Sequence, residues 1–257
     1  MTLRATVVVG GLAAAGALAG AAATLRSPVP APQPAAVAVL PAPVPPSFTP
    51  GEPRLLGSLR DLSHWAPVER PVAARAAPGA GAPVVAAISP RTPEGTQNGV
   101  AVLRRRGLWV RVALAVLPNG TTGWVPRAAL GGYVTVYTRL DVDLERLRAT
   151  LYRRGRPVLR ADVGVGAPDH PTPTGRFYVR NRLTRYRSPQ YGPVAFGTSA
   201  RSPAATGWPA GGFVGIHGTD RPDLVPGRVS HGCIRMRNPD IRALARTMPA
   251  GTPVVIH

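Results

Sequence analysis

From Val100 to the C-terminus, short apolar and β-branched runs are stopped repeatedly by glycine, proline or asparagine. That rhythm suits strands joined by tight turns. Val100 to Leu103, Leu108 to Val116 and Thr121 to Val125 are separated by Arg106-Gly107 and by Pro118-Asn119-Gly120, the pattern of a small antiparallel barrel. Tyr133 to Tyr137 and Pro157 to Val165 continue the rhythm, with Arg154-Gly155 as a hairpin turn. One helix of about two turns is expected near the end. Asn238 suits its N-cap, Pro239 its first position and Asp240 its positive dipole end, and it runs to Arg246. Pro249 and Gly251 stop it, and Thr252 to His257 forms a last strand. The expected fold class is therefore mostly β, a small barrel followed by a larger β domain.

The residues before Pro53 cannot join either core. Arg4 precedes an uncharged Ala, Gly, Val and Leu run from Ala5 to Leu25, with small residues at Ala21, Ala22 and Ala23. This is the order of a secretory signal, although the run is also long enough to cross a bilayer. Residues 1–26 thus read as a signal peptide or an N-terminal anchor. Residues 27–52 alternate proline with alanine and valine, which favours extended polyproline II and reads as a spacer. That leaves residues 53–132 for the barrel and 133–257 for the second domain, each large enough to bury a core. The expected location is outside the cytoplasm, in the cell wall or periplasm, with or without a membrane tether.

The formal net charge is +19, and all 31 basic residues are arginine. Such a charge draws a protein toward anionic wall polymers or a membrane surface. Nucleic acid is a poor match, because the arginines are dispersed through candidate strands and loops and an export signal denies access.

The chain has a single cysteine, Cys233. An exported protein with one thiol forms no internal disulfide, so the thiol is either a small buried hydrophobe or a reactive group. Its surroundings favour the second reading. Ile216-His217-Gly218-Thr219 is followed, sixteen residues on from the histidine, by Ser230-His231-Gly232-Cys233-Ile234-Arg235-Met236. A thiol becomes a useful nucleophile when a neighbouring base takes its proton and a third group holds that base. Zinc ligation by His217, His231 and Cys233 is conceivable by residue type, but the spacing matches no common zinc pattern. No metal or cofactor is expected. His64, His170 and His257 sit in no motif and read as surface or packing residues.

The ordered pair of His-Gly-Thr and Ser-His-Gly-Cys resembles the signature of the L,D-transpeptidase catalytic domain, called YkuD-type. The likeness extends over most of Tyr133 to His257. It includes Val163-Gly164-Val165-Gly166, Pro171-Thr172-Pro173-Thr174-Gly175-Arg176-Phe177, Tyr191-Gly192-Pro193 and Gly251-Thr252-Pro253-Val254. The resemblance implies a β-sandwich catalytic domain in which Cys233 is the nucleophile, His217 its base and Gly218 the residue whose carbonyl orients the imidazole. It implies an oxyanion hole from the amides of His231, Gly232 and Cys233. It also implies peptidoglycan stem peptides as partners, with carbapenem-type β-lactams as covalent inhibitors. Arg235, Tyr191, Thr219 and Ser230 are candidate substrate contacts. Many members of the family carry asparagine where Arg235 stands, and arginine there suits either a substrate carboxylate or a buttress for the loop. Tyr191 equally suits packing, and Ser230 a hydrogen bond within its loop. Upstream, Gly107-Leu108-Trp109-Val110-Arg111-Val112 and Gly123-Trp124-Val125 resemble bacterial SH3-like wall modules. Trp109 and Trp124 suit a ligand groove there or the packing of a small barrel.

Overall fold

The computed structural model describes residues 54–55, 62–186, 188–202 and 211–257. The expected signal or anchor and the proline-rich spacer lie outside the described residues. No helix among the described residues is long and apolar enough to cross a membrane.

The first sheet is antiparallel throughout. Its strands are β1 (Arg54–Leu55), β2 (Ser63–Pro67), β3 (Val72–Arg75), β4 (Val84–Ile88), β5 (Gly99–Arg106), β6 (Trp109–Ala113), β7 (Thr122–Pro126) and β8 (Val134–Val136). They lie in the order β4-β3-β7-β6-β5-β2-β8, with β1 also paired to β5. Alternation places the strands as the sequence suggests: along β6, Val110 and Val112 are buried while Trp109, Arg111 and Ala113 stay half-exposed. Trp124 is buried in β7. β8 differs from expectation. Its residues read as part of the second domain, 133–257, but Ser63 pairs with Val136 and Trp65 with Val134, so it is an edge strand of the first sheet.

The second sheet contains β9 (Thr138–Asp143), β10 (Arg148–Arg153), β11 (Arg156–Asp162), β12 (Gly164–Gly166), β13 (Gly175–Leu183), β14 (Ala195–Arg201), β15 (Phe213–His217), β16 (Gly227–Ser230), β17 (Ile234–Arg235) and β18 (Pro253–Ile256). Their order is β11-β10-β9-β18-β13-β14-β15-β17-β12-β16. β13 is the pivot. Its first residues, Gly175 to Tyr178, pair with β18, and Val179 to Leu183 pair with β14. One strand thereby serves two halves of the sheet, and both halves bury one core. Leu140, Val142 and Leu151 from one half join Phe196, Ile216 and Ile234 from the other. The helix α1 (Asn238–Thr247) adds Ile241 and Leu244 to that core.

The start of α1 also departs from the sequence reading. Arg237 occupies the N-cap with no side-chain capping bond, and Asn238 is the first helical residue. The amides of Asp240 and Ile241 both donate to the Arg237 carbonyl, so the helix begins on backbone bonds alone.

Candidate active site

His217 ends β15, and Cys233 lies in the turn just before β17. These two strands run side by side and parallel, with Ile216 opposite Ile234 and His217 opposite Arg235. Parallel neighbours require a crossover connection, and the fifteen residues between His217 and Cys233 are that crossover. It delivers the thiol beside β15, where the Gly215 N–H donates to Cys233 Sγ at 3.4 Å.

His217 is buried, and its Nδ1 lies 2.6 Å from the Gly218 carbonyl oxygen. A carbonyl only accepts, so Nδ1 carries the proton and Nε2 keeps the lone pair. Burial lowers the His217 pKa to about 4; the Gly218 bond opposes this and the Arg235 cation adds to it. Burial pushes the Cys233 thiol up, against the Gly215 N–H and the Arg235 cation, which both pull it down. Both shifts favour a neutral thiol and a neutral imidazole at rest. Tyr191 closes one side, its ring edge-on to His217 at 4.6 Å and 68°. Its backbone carbonyl accepts from the Tyr186 hydroxyl at 3.2 Å.

The cysteine turn is braced from within. Ser230 Oγ donates to the Cys233 carbonyl at 2.6 Å and accepts from the Gly232 N–H at 3.2 Å. Thr172 Oγ1 donates to the Gly232 carbonyl at 3.0 Å and accepts from the Gly166 N–H at 2.9 Å. Gly232 has φ +105°, a conformation that L side chains rarely adopt. Thr219 is buried; its N–H donates to Asn238 Oδ1 at 3.0 Å, and its Oγ1 accepts from the Arg221 N–H at 3.0 Å. Ser230 and Thr219, both raised as substrate contacts, thus have their hydroxyls engaged within their own loops.

Arg235 is half-buried, and its Nε has no hydrogen-bond partner among the described residues. His231 is exposed and points its ring toward His170, at 4.9 Å between centroids. His170 in turn pairs with Asp169 at 2.9 Å. Among the described residues, no three His, Cys, Asp or Glu side chains gather around a point that could hold a metal ion.

Sequence reasoning did not single out Gly215, Thr172 or Asn238 as parts of this site. Only Thr172 carries a signal, as part of the Pro171-Thr172-Pro173-Thr174-Gly175 stretch that contributes to the family likeness. The other two act through contacts that appear only once strands cross.

A lone thiol bonded to the Gly215 N–H of β15, and a buried imidazole held by a carbonyl at the end of the same strand, define a cysteine-nucleophile class of enzyme. Comparison with known proteins narrows the class. The profile of the L,D-transpeptidase catalytic domain, YkuD, matches residues 137–256. The L,D-transpeptidase YkuD of Bacillus subtilis strain 168 is 36% identical over 123 residues, covering 48% of this chain and 68% of that protein. Its counterpart in Bacillus licheniformis is 35% identical over 122 residues, covering 48% and 67%. Among solved structures, the catalytic domain of the E. faecium L,D-transpeptidase acylated by ertapenem aligns at 29% identity with a TM-score of 0.37, over 47% of this chain and 96% of that one. The Ldtfm–avibactam carbamoyl enzyme aligns at 32% identity with a TM-score of 0.38, over 47% of this chain and 48% of that one. The chain belongs to the YkuD-type L,D-transpeptidase family and is an enzyme of that kind.

Proposed function

We propose that this enzyme crosslinks peptidoglycan through a thioester on Cys233. The observation that carries the proposal is the 2.6 Å approach of His217 Nδ1 to the Gly218 carbonyl oxygen: a carbonyl only accepts, so Nδ1 donates there and the Nε2 lone pair is left as the base. In the first step Nε2 takes the thiol proton as sulfur attacks the carbonyl between the L-centre of a diamino acid and the terminal D-alanine of a tetrapeptide stem. The tetrahedral oxyanion is met by backbone N–H groups of the cysteine turn. The Gly232 N–H is already engaged by Ser230 Oγ, so the first donors are those of His231 and Cys233. Collapse breaks the C–N bond, the imidazolium returns its proton to the departing D-alanine amine, and the acyl group stays on sulfur. A side-chain amine of a neighbouring stem then attacks the thioester, passes a proton through His217 to the thiolate, and forms the crosslink. Arg235, whose Nε has no hydrogen-bond partner among the described residues, meets a substrate carboxylate.

The starting pair is neutral, so the proton moves during attack and no stored thiolate is needed. Carbapenems enter by the same attack and stop at the acyl stage. We further propose that the region expected over residues 53–132, together with its edge strand β8, is an SH3-like wall module. The protein would act outside the cytoplasm, where its +19 charge holds it near anionic polymers.

The test is intact-protein mass spectrometry after incubation with a disaccharide tetrapeptide or a carbapenem. Wild type is expected to gain one acyl adduct and Cys233→Ala none. A wild-type protein that never gains the adduct sinks the proposal. Dimeric muropeptides are the expected product, whereas shortened stems without dimers would mark an L,D-carboxypeptidase instead.

A further inference from the structure

We propose that Asn238 is a positioning residue for this reaction: its side-chain oxygen locks the Gly218–Thr219 turn so that the Gly218 carbonyl holds the His217 imidazole in its working tautomer. The inference rests on the reading that His217 activates Cys233.

The backbone around Gly218 is pinned on every side except one. The His217 carbonyl accepts from the Met236 N–H at 2.8 Å, the Gly218 N–H donates to the Val194 carbonyl at 3.3 Å, and the Thr219 N–H donates to Asn238 Oδ1 at 3.0 Å. The remaining group, the Gly218 carbonyl, faces the imidazole at 2.6 Å. Apart from the imidazole itself, Asn238 supplies the one side-chain bond in this set, and it comes from α1, which is anchored in the core by Ile241 and Leu244. The turn is thereby tied to a rigid element.

Packing supports the same role. A Cβ at Gly218 would lie 2.3 Å from Asn238 Oδ1, and a Cβ at Gly192 would lie 2.4 Å from that oxygen and 2.7 Å from Gly218 Cα. The Asn238 amide therefore fills the space that two glycines leave open, between the Tyr191 segment and the histidine turn. The helix itself gains no cap from this side chain, and asparagine is a mediocre helix former. Its residue type is explained by what it grips.

The experiment compares wild type, Asn238→Ala and Asn238→Asp in single-turnover acylation by a carbapenem across pH, with thermal melts on each. Asn238→Ala is expected to slow the first-order acylation step by about tenfold or more, because small misplacements of a catalytic group are costly. The carbapenem concentration giving half-maximal rate should stay unchanged. Its acid limb should move to lower pH, because the Gly218 bond is the interaction that raises the His217 pKa and would be loosened. Asn238→Asp keeps an acceptor oxygen at the helix N-terminus, where an acid is favoured, and should recover most of the rate. The inference is overturned by a wild-type rate in Asn238→Ala, by a loss matching only its unfolded fraction with an unmoved pH profile, or by failure of the aspartate variant to rescue. A wild-type protein that the carbapenem does not acylate overturns instead the function on which the inference rests.

Discussion

His217 sets the acid side of this enzyme's behaviour. Its folded pKa is about 4 against an ordinary value of 6.5. The unfolded chain therefore binds a proton on this residue between those values while the folded chain does not. Protons bound by the unfolded state favour unfolding. His217 thus costs nothing above about pH 6.5, costs progressively more as pH falls toward 4, and levels off below it. The full cost is about 3 kcal/mol, from about 1.4 kcal/mol per pKa unit. Thermal melts should show wild type losing more stability than His217→Gln over that window, with the two proteins moving in parallel above pH 7. Equal slopes throughout would mean the imidazole is solvated. The same value predicts that carbapenem acylation keeps its rate well below pH 6.5 and falls only near pH 4, since Nε2 must be unprotonated to act. A limb near 6.5 would contradict the burial that causes the shift.

At the scale of elements, the site depends on a turn that only one residue type permits. Gly166 ends β12, and a Cβ there would meet the His170 carbonyl oxygen at 2.3 Å and the Thr172 nitrogen at 2.4 Å. Both are backbone atoms, so no side chain can swing away to relieve the clash. Gly166→Ala should displace Thr172, release the Gly232 carbonyl that Thr172 holds, and misplace the cysteine turn. The expected outcome is a loss of about 2 kcal/mol in stability by urea titration, in the usual range for overpacking, with acylation slowed well beyond the unfolded fraction. Much of this level was legible in the sequence. Alternating runs gave the strands, and His217, Gly218 and Cys233 stood in contiguous motifs. What stayed hidden depends on pairing across long separations. β8 reads as a strand from Val134 and Val136, but nothing local says that its partner is β2 and not β9. Asn238 reads as a helix cap because a nearby helix is the local explanation for asparagine followed by proline. Its actual partner, Thr219, is brought to it by the parallel pairing of β15 with β17. Gly215 is one more glycine until that pairing sets its N–H against the thiol.

At the scale of the whole molecule, the question is why the first sheet is joined to the catalytic one through buried charge. Glu94 and Arg180 pair at 2.8 Å, each side chain 3% exposed. The second Glu94 oxygen accepts from Asn181 Nδ2 at 3.1 Å, and Arg180 Nε donates to the Thr198 carbonyl at 2.9 Å. Nearby, Asn119 makes a reciprocal pair of bonds to the Arg201 backbone at 2.8 and 2.9 Å, and Ser63 Oγ donates to the Gly251 carbonyl at 3.0 Å. The Arg180 and Arg201 guanidinium groups both stack on Phe213, at 3.8 and 4.1 Å. Burial and the Arg180 charge lower the Arg201 pKa. Glu94 is thus the acid paired with Arg180, one of two cations that repel each other across Phe213, and Phe213 begins the strand that ends in His217. Removing one partner of a buried pair leaves the other charge desolvated, whereas removing both leaves apolar surface. Glu94→Ala should therefore destabilise the protein by about 3–5 kcal/mol and slow acylation through the shifted β15. Glu94→Ala combined with Arg180→Met should recover much of that loss, giving a large coupling energy in a double-mutant cycle by urea denaturation. A cost below about 1 kcal/mol for Glu94→Ala, the size of an exposed pair, would instead show that water reaches the carboxylate. The two sheets would then carry their stability separately, and changes in the first would leave the rate at Cys233 untouched.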